Sequence, residues 1–148
     1  MEYTDACRRI EEMLSQKDRK QRLQGIVDFL QRSFPRYNWV GLYLIADGML
    51  VLGPWRGKEA TEHTRIPVGR GVCGSAAVSG TTEVVDDVSK DERYLSCFLS
   101  TRSEIVVPIK KGGTVVGEID IDSDVPAAFT KEDVVFLETV AVMLSQHL

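Results

Sequence analysis

The sequence predicts an α+β fold in which a central antiparallel sheet carries helices from both ends of the chain on one face. Apolar residues recur every three to four positions near the two ends, which is the period of a helix. Between these segments, stretches rich in valine and isoleucine alternate with glycine-containing turns, which is typical of hairpins. The length of 148 residues suits one domain. We expect that domain to span 1–148, with helices in 1–35 and the sheet, pocket loops and last helix in 38–148.

Two amphipathic helices are expected first. Their apolar stripes are Ala6, Ile10, Met13 and Leu14, then Leu23, Ile26, Val27, Leu30 and Phe34. Ser15 or Asp18 is a candidate cap of the second helix, because a short polar side chain can accept from its free backbone N–H groups. Pro35 ends that helix, since a proline forces the preceding residue out of the helical conformation.

A first β-hairpin is expected over 39–45 and 49–52. Asp47 and Gly48 supply the positive φ angles of the tight turn between the two strands. Prolines and glycines interrupt the next stretch, 53–71, which is expected to be a loop apart from a short strand near 64–66.

The middle of the chain is expected to hold small elements and a lid. A short helix over 72–79 ends at Gly80, and a short strand follows over 82–85. The stretch 86–102 mixes charged residues with large apolar ones and fits neither period. We interpret it as a partly helical lid.

The stronger hairpin comes last, over 104–109 and 114–121, and its strands are rich in valine and isoleucine. Thr130, with Asp133 three residues later, forms a capping box that begins a final helix. The apolar stripe of this helix is Val134, Leu137, Val140, Ala141 and Leu144. The complete element order is therefore ααββ(β)αβ(α)ββα, which short connections can fold into an antiparallel sheet.

Composition excludes several classes of function. The formal net charge of -4 gives no basic footprint for duplex nucleic acid or for an anionic membrane surface. No apolar run approaches the ~18 residues of a membrane span, and the acidic, polar amino terminus is unlike a secretory signal. We therefore expect a cytoplasmic protein with no nucleic-acid and no membrane partner.

The cysteines are the first candidates for chemistry. Cys7, Cys73 and Cys97 are an odd number without CxxC spacing, so neither a disulfide framework nor a Cys/His zinc site is expected, and no metal is assigned. Cys73 lies among glycines at the start of the predicted short helix, where backbone amides favour a thiolate, although a buried packing role stays open. Cys97 lies in the polar lid, where contact with a ligand and a packing role both stay open. Cys7 is expected to be structural.

Three carboxylates are expected to meet on one patch of the sheet. Asp120 and Asp122 are two residues apart on a strand and share a face. If the hairpin turns near Gly112 and Gly113, Glu104 pairs close to both. Repulsion and burial would raise at least one carboxyl pKa, which gives a general acid or a site for a ligand cation. The alternative is that Asp120 faces solvent and Asp122 only begins a turn.

Two aromatic residues share a face of the first strand. Trp39 and Tyr43 are four residues apart, so they either wall an apolar pocket or belong to the core under the helices. The nearby glycines of 69–74 complete neither a GxxxxGK[ST] nor a GxGxxG pattern, so a phosphate-binding loop is not expected.

Five segments together resemble the GAF domain family, and within it the branch of the free methionine-(R)-sulfoxide reductases. They are 38–43 (NWVGLY), 52–54 (LGP), 65–74 (RIPVGRGVCG), 103–108 (SEIVVP) and 120–123 (DIDS). The resemblance runs from about Asn38 to the carboxyl terminus. It implies a six-stranded antiparallel sheet with helices behind it, a ligand pocket on the other face and a homodimer formed through the helices.

The resemblance also implies roles for single residues. The implied site consists of Cys73 and Cys97 as redox cysteines, Glu104, Asp120 and Asp122 as pocket carboxylates, and Trp39 and Tyr43 as walls of the substrate site. His63 stands where the family usually has a third cysteine. The lid sequence around Cys97 also departs from the family's usual one.

The implied reaction is the reduction of free methionine-(R)-sulfoxide. A thiolate attacks the sulfoxide sulfur while a protonated carboxyl donates to the departing oxygen. The resulting sulfenic acid condenses with a second thiol, and an external dithiol such as thioredoxin reduces the disulfide, so no bound cofactor is needed. We favour Cys97 as the attacking thiol and Cys73 as the resolving one, because the lid should be mobile. The alternative function is a non-catalytic GAF ligand-binding or sensory module, which His63 favours.

Overall fold

The computed structural model describes residues 1–96 and 98–148 and contains one six-stranded antiparallel sheet. Its elements in chain order are α1 (Tyr3–Leu14), α2 (Arg19–Ser33), β1 (Trp39–Ala46), β2 (Met49–Arg56), β3 (Arg65–Pro67), α3 (Gly71–Ser79), β4 (Glu83–Val85), a 3-10 turn (Val88–Lys90), β5 (Ser103–Lys111), β6 (Thr114–Ser123) and α4 (Lys131–Ser145). The strand order across the sheet is β3-β2-β1-β6-β5-β4. The predicted α+β fold and element order are confirmed. Within the described ranges, no helix combines the length and hydrophobicity that crossing a bilayer requires.

The two faces of the sheet support two separate apolar clusters. On β1, Val40 and Leu42 pack with α1, α2 and α4 in the larger cluster. Trp39 and Tyr43 point to the opposite face, where α3 and its Cys73 complete the smaller cluster. We call this second side the pocket face. Because strands covered on both sides must be apolar on both, the central strands are rich in aliphatic residues.

β2 continues through residues 53–56, which the sequence analysis placed in a loop. The register between β1 and β2 shifts between Gly41 and Tyr43, and Gly53 and Pro54 fall within this irregularity. A bulge leaves one residue outside the hydrogen-bond ladder, so the missing N–H of proline is tolerated there. Glycine and proline at these positions therefore indicate a bulge within β2 and not the end of that strand.

The predicted helix ends are confirmed where a specific side chain or glycine signals them. Asp18, rather than Ser15, caps α2 with its carboxylate. Thr130 and Asp133 form the reciprocal capping box of α4. Gly80 ends α3 in the left-handed conformation, with φ of 67°. In the lid, the helical content among the described residues is the single 3-10 turn.

Gly74 allows α3 to pack against the loop that precedes it. A Cβ at this position would lie 2.8 to 2.9 Å from backbone atoms of Gly69 and Pro67. The Gly69 N–H also donates to the Gly74 carbonyl at 3.0 Å. Backbone atoms cannot move aside as the end of a side chain can, so Cys73 owes its place over the sheet partly to this glycine.

Gly74→Ala is expected to lower the free energy of unfolding by about 2 to 3 kcal/mol, because it overpacks a fixed backbone contact. The measurement is urea denaturation followed by circular dichroism. Gly25→Ala is the control, since a Cβ there meets nothing within 4 Å inside α2. It should be neutral or stabilising by up to about 1 kcal/mol. Equal effects of the two substitutions would contradict this account.

Candidate active site

Among the described residues, the thiol of Cys73 and several carboxylates meet on the pocket face of the sheet. Asp122 on β6 is the Cα partner of Glu104 on β5, and Asp120 is two residues away on the same face. α3 crosses this patch and brings the thiol of Cys73. Potential ligand atoms of Cys73, Glu104 and Asp120 all lie within 4.8 Å of one another. The carboxylates have the arrangement that the hairpin register predicts, and none of them faces solvent.

The carboxylates are deeply buried, with Asp120 and Asp122 each 2% exposed and Glu104 4% exposed. Burial is the main cause that raises the pKa of Asp120 and of Asp122, and the charge of Asp120 raises the Asp122 pKa further. Hydrogen bonding with Glu104 lowers both values in part. The cluster therefore retains protons that isolated carboxyl groups would lose, which is what a general acid requires.

The environment of Cys73 opposes its ionisation. Burial raises the pKa of this thiol well above its ordinary value, and the charges of Asp120, Glu104, Glu118 and Asp122 raise it further. The expectation that the start of a helix favours a thiolate is therefore wrong here. Although Cys73 is the third residue of α3, the partial charge of a short helix is outweighed by burial beside acids.

Glu118 is a fourth carboxyl of the cluster that the sequence analysis missed. It is fully buried at 0% exposure. Burial, followed by the charge of Asp120, raises its pKa to about 9, while a contact with the Cys73 thiol lowers it in part. Apart from that contact, neither oxygen is hydrogen-bonded to a described residue. The alternation that marks Asp120 and Asp122 on β6 continues back to Glu118, and this was the available signal.

Aromatic side chains cover the pocket face beside the acids. The rings of Trp39 and Trp55 stack with centroids 6.2 Å apart, and Phe98 approaches Trp39 at 5.9 Å. The Tyr43 hydroxyl donates to the backbone carbonyl of His63 at 2.6 Å. Trp39 and Tyr43 thus lie on the pocket side and not under the terminal helices.

The remaining candidate residues lie around or away from this cluster. His63 Nε2 donates to the Ser96 carbonyl at 3.2 Å, so it contacts the lid. Cys7 is half-buried on α1 and packs against the core on the other face of the sheet. Cys97, the favoured attacking residue, lies outside the described residues.

In the part of the chain that the structure describes, small cavities adjoin the cluster. One of about 30 Å³ lies between Trp39, Phe98 and Asp122, among other residues. Another of about 10 Å³ is lined by Cys73, Leu95, Glu104 and Asp120, together with apolar neighbours. A cavity of about 10 to 15 Å³ is the room that one water molecule needs. Neither cavity, in this conformation, has room for a ligand much larger than water.

Residues 18–148 match the model of the GAF domain. The chain therefore belongs to the GAF domain family. The free methionine-R-sulfoxide reductase of Escherichia coli is 41% identical over 111 residues, which are 75% of this chain and 66% of that protein.

Solved structures point to the same branch. The type II free methionine-R-sulfoxide reductase from Thermoplasma acidophilum is 40% identical, with a TM-score of 0.84 over 88% of this chain and 94% of that one. The free methionine-R-sulfoxide reductase from Neisseria meningitidis, in complex with its substrate, is 36% identical, with a TM-score of 0.91 over 98% of this chain and 87% of that one. The resemblance drawn from the sequence motifs is confirmed.

Proposed function

We propose that this protein reduces free methionine-(R)-sulfoxide to methionine by thiol chemistry. The observation that carries the proposal is the Cys73 thiol within 4.8 Å of Glu104 and Asp120 oxygens in a buried pocket. Reduction of a sulfoxide needs a thiol and a proton donor at one place. The names of the relatives in Escherichia coli, Thermoplasma acidophilum and Neisseria meningitidis support the same reaction.

In the first step, Cys97 attacks the sulfoxide sulfur as a thiolate and a carboxyl of the cluster protonates the oxygen. Transfer of that oxygen leaves methionine and a sulfenic acid on Cys97. The Cys73 thiol then attacks the sulfenic sulfur, a disulfide forms and water leaves. The raised pKa of Cys73 supports this order, because a buried, protonated thiol is a poor first nucleophile.

The ionised members of the cluster bind the free amino group of the substrate in this proposal. Glu104, Asp120 and Asp122 offer carboxylate oxygens in a pocket that water barely reaches, where a charge-assisted hydrogen bond is strong. A residue inside a peptide has no ammonium group, so it loses this contact. Trp39 and Tyr43 wall the apolar part of the pocket.

The cycle ends with an external dithiol. A reductant of the thioredoxin type exchanges with the disulfide and restores both thiols, so no bound cofactor takes part. A homodimer formed through the helices and a cytoplasmic location stay predictions from the sequence.

A non-catalytic GAF binding module is the second candidate function. The observation that favours it is the contact of His63 with the lid at Ser96, at a position where the family resemblance leads us to expect a cysteine. A module of this kind would bind the sulfoxide without consuming thiols, which separates the two candidates experimentally.

Thiol titration tests the proposal. Adding methionine-(R)-sulfoxide to the reduced protein is expected to remove two of the three thiols per chain, because one disulfide forms. Cys97→Ser should abolish the loss, whereas Cys7→Ser, outside the pocket, should still lose two. The (S)-sulfoxide is the matched control substrate and should consume none. Saturable binding of the (R)-sulfoxide with no thiol loss would instead establish the binding module.

A further inference from the structure

We propose that Cys73, Glu104 and Asp120 also form a site for one thiophilic divalent cation, with Zn²⁺ as the representative ion. The three donors come from α3, β5 and β6 and lie within 4.8 Å of one another. Cysteine sulfur and carboxylate oxygen are both zinc ligands, and in a tetrahedral site such atoms lie roughly 3 to 4 Å apart. If the three donor atoms shift inward by about 1 Å, they therefore occupy three of the four ligand positions of a tetrahedral ion. Water can supply the fourth ligand.

The cavity between these donors fits an ion better than it fits an amino acid. Its volume is about 10 Å³, and Leu95 closes one side of it. That is about the room for one water molecule. A metal ion can therefore occupy the pocket after an inward shift of the three donors by about 1 Å, while methionine sulfoxide requires the lid to open.

Unsatisfied carboxyl oxygens on one of the three donors and on a neighbouring acid supply a second reason for a cation. Both oxygens of Glu118 and one oxygen of Asp120 lack a hydrogen-bond partner of normal geometry among the described residues. Glu118 is fully buried, and its carboxyl contacts the Cys73 thiol, so it is directed at the site. Buried acidic groups without hydrogen-bond partners are unfavourable, and a divalent ion at the three donors would offset part of that penalty.

The thiol distinguishes this cation from an ammonium group. An ammonium ion binds through the carboxylates alone, whereas a thiophilic metal takes the thiolate of Cys73 as a ligand and releases its proton. In the proposed reduction cycle, a metal would occupy the resolving thiol and two carboxylates together. The metal ion would therefore inhibit the reduction of the sulfoxide reversibly, and a chelator would restore activity. This consequence alone rests on the proposed function.

Titration with Co²⁺ tests the site, because a cobalt–thiolate bond gives a charge-transfer band in the near ultraviolet. The reduced Cys97→Ser protein is the background, since no disulfide with Cys97 can then consume Cys73. We expect a band that saturates at one Co²⁺ per chain. Adding Cys73→Ser should abolish the band, and adding Cys7→Ser should leave it unchanged. Glu104→Gln and Asp120→Asn should each weaken Co²⁺ binding at least tenfold.

A second measurement does not depend on whether the Cys73→Ser protein folds. In the Cys7→Ser, Cys97→Ser protein, alkylation of Cys73 followed by mass spectrometry should slow at least tenfold with Zn²⁺ and recover with a chelator. An unchanged alkylation rate, or a cobalt band that is absent or survives Cys73→Ser, would overturn the metal site. Neither measurement involves turnover, so these results and the thiol titration can fail separately.

Discussion

An Asp122→Asn variant is expected to lose about 30- to 4,000-fold in kcat/KM for free methionine-(R)-sulfoxide. Asp122 is almost fully buried beside the cavity that Trp39 lines. Among the described residues, no lysine, arginine or histidine forms an ion pair with it. The ammonium group of the substrate is thus its natural partner, because a cation beside Asp122 favours the ionised carboxylate and opposes the effect of burial on its pKa. Removing one member of a buried charged pair costs about 2 to 5 kcal/mol, and 1.4 kcal/mol is about tenfold in rate.

Steady-state kinetics with varied substrate concentration measures this effect. Most of the loss should appear in KM, because the amide still fills the space but no longer attracts the ammonium group. Asp124→Asn is the matched control. Asp124 lines the same cavity, but its side chain is 35% exposed and 4.0 Å from the amine of Lys58. We expect the control to change kcat/KM by less than about threefold, because partly exposed charges contribute little. A loss confined to kcat would assign Asp122 to proton transfer instead.

Local patterns predicted most of the fold and the geometry of the carboxylates. The position of the β5 to β6 turn, together with the two-residue period of a strand, determines that Glu104 lies opposite Asp122. The capping box of α4 and the glycine that ends α3 likewise depend on a few adjacent residues. Features of this kind depend on neighbours in the sequence or across one short hairpin. The sequence alone is therefore sufficient to predict them.

The protonation of Cys73 could not be predicted in the same way. Its position at the start of a helix suggested a thiolate, but its pKa depends on burial and on acids from β5 and β6 that are distant in sequence. Glu118 was missed for a related reason: its spacing from Asp120 predicts a shared face, but a glutamate in a strand is usually exposed, and the packing of α3 shows that this one is buried. The electrostatics of the site thus come from tertiary contacts.

Asp133 connects the helices behind the sheet to the loop that enters β1. Its carboxylate accepts from the Tyr37 hydroxyl at 2.5 Å and from the Tyr3 hydroxyl at 3.0 Å. Its second oxygen accepts from the backbone N–H and the hydroxyl of Thr130, at 2.8 and 2.9 Å, which begins α4. One buried side chain therefore satisfies four donors from three parts of the chain.

Asp133→Ala is expected to lower the free energy of unfolding by about 3 to 5 kcal/mol, because it removes a helix cap and leaves buried hydroxyl donors without an acceptor. Urea denaturation measures the change. Glu132→Ala is the matched control, since Glu132 is an exposed acid in the same first turn of α4. Its effect should stay within about 0.5 kcal/mol, as for most surface substitutions. If the two variants unfold at the same urea concentration, the helix dipole matters more here than the buried hydrogen bonds, and the hydroxyls of Tyr3 and Tyr37 must find other acceptors.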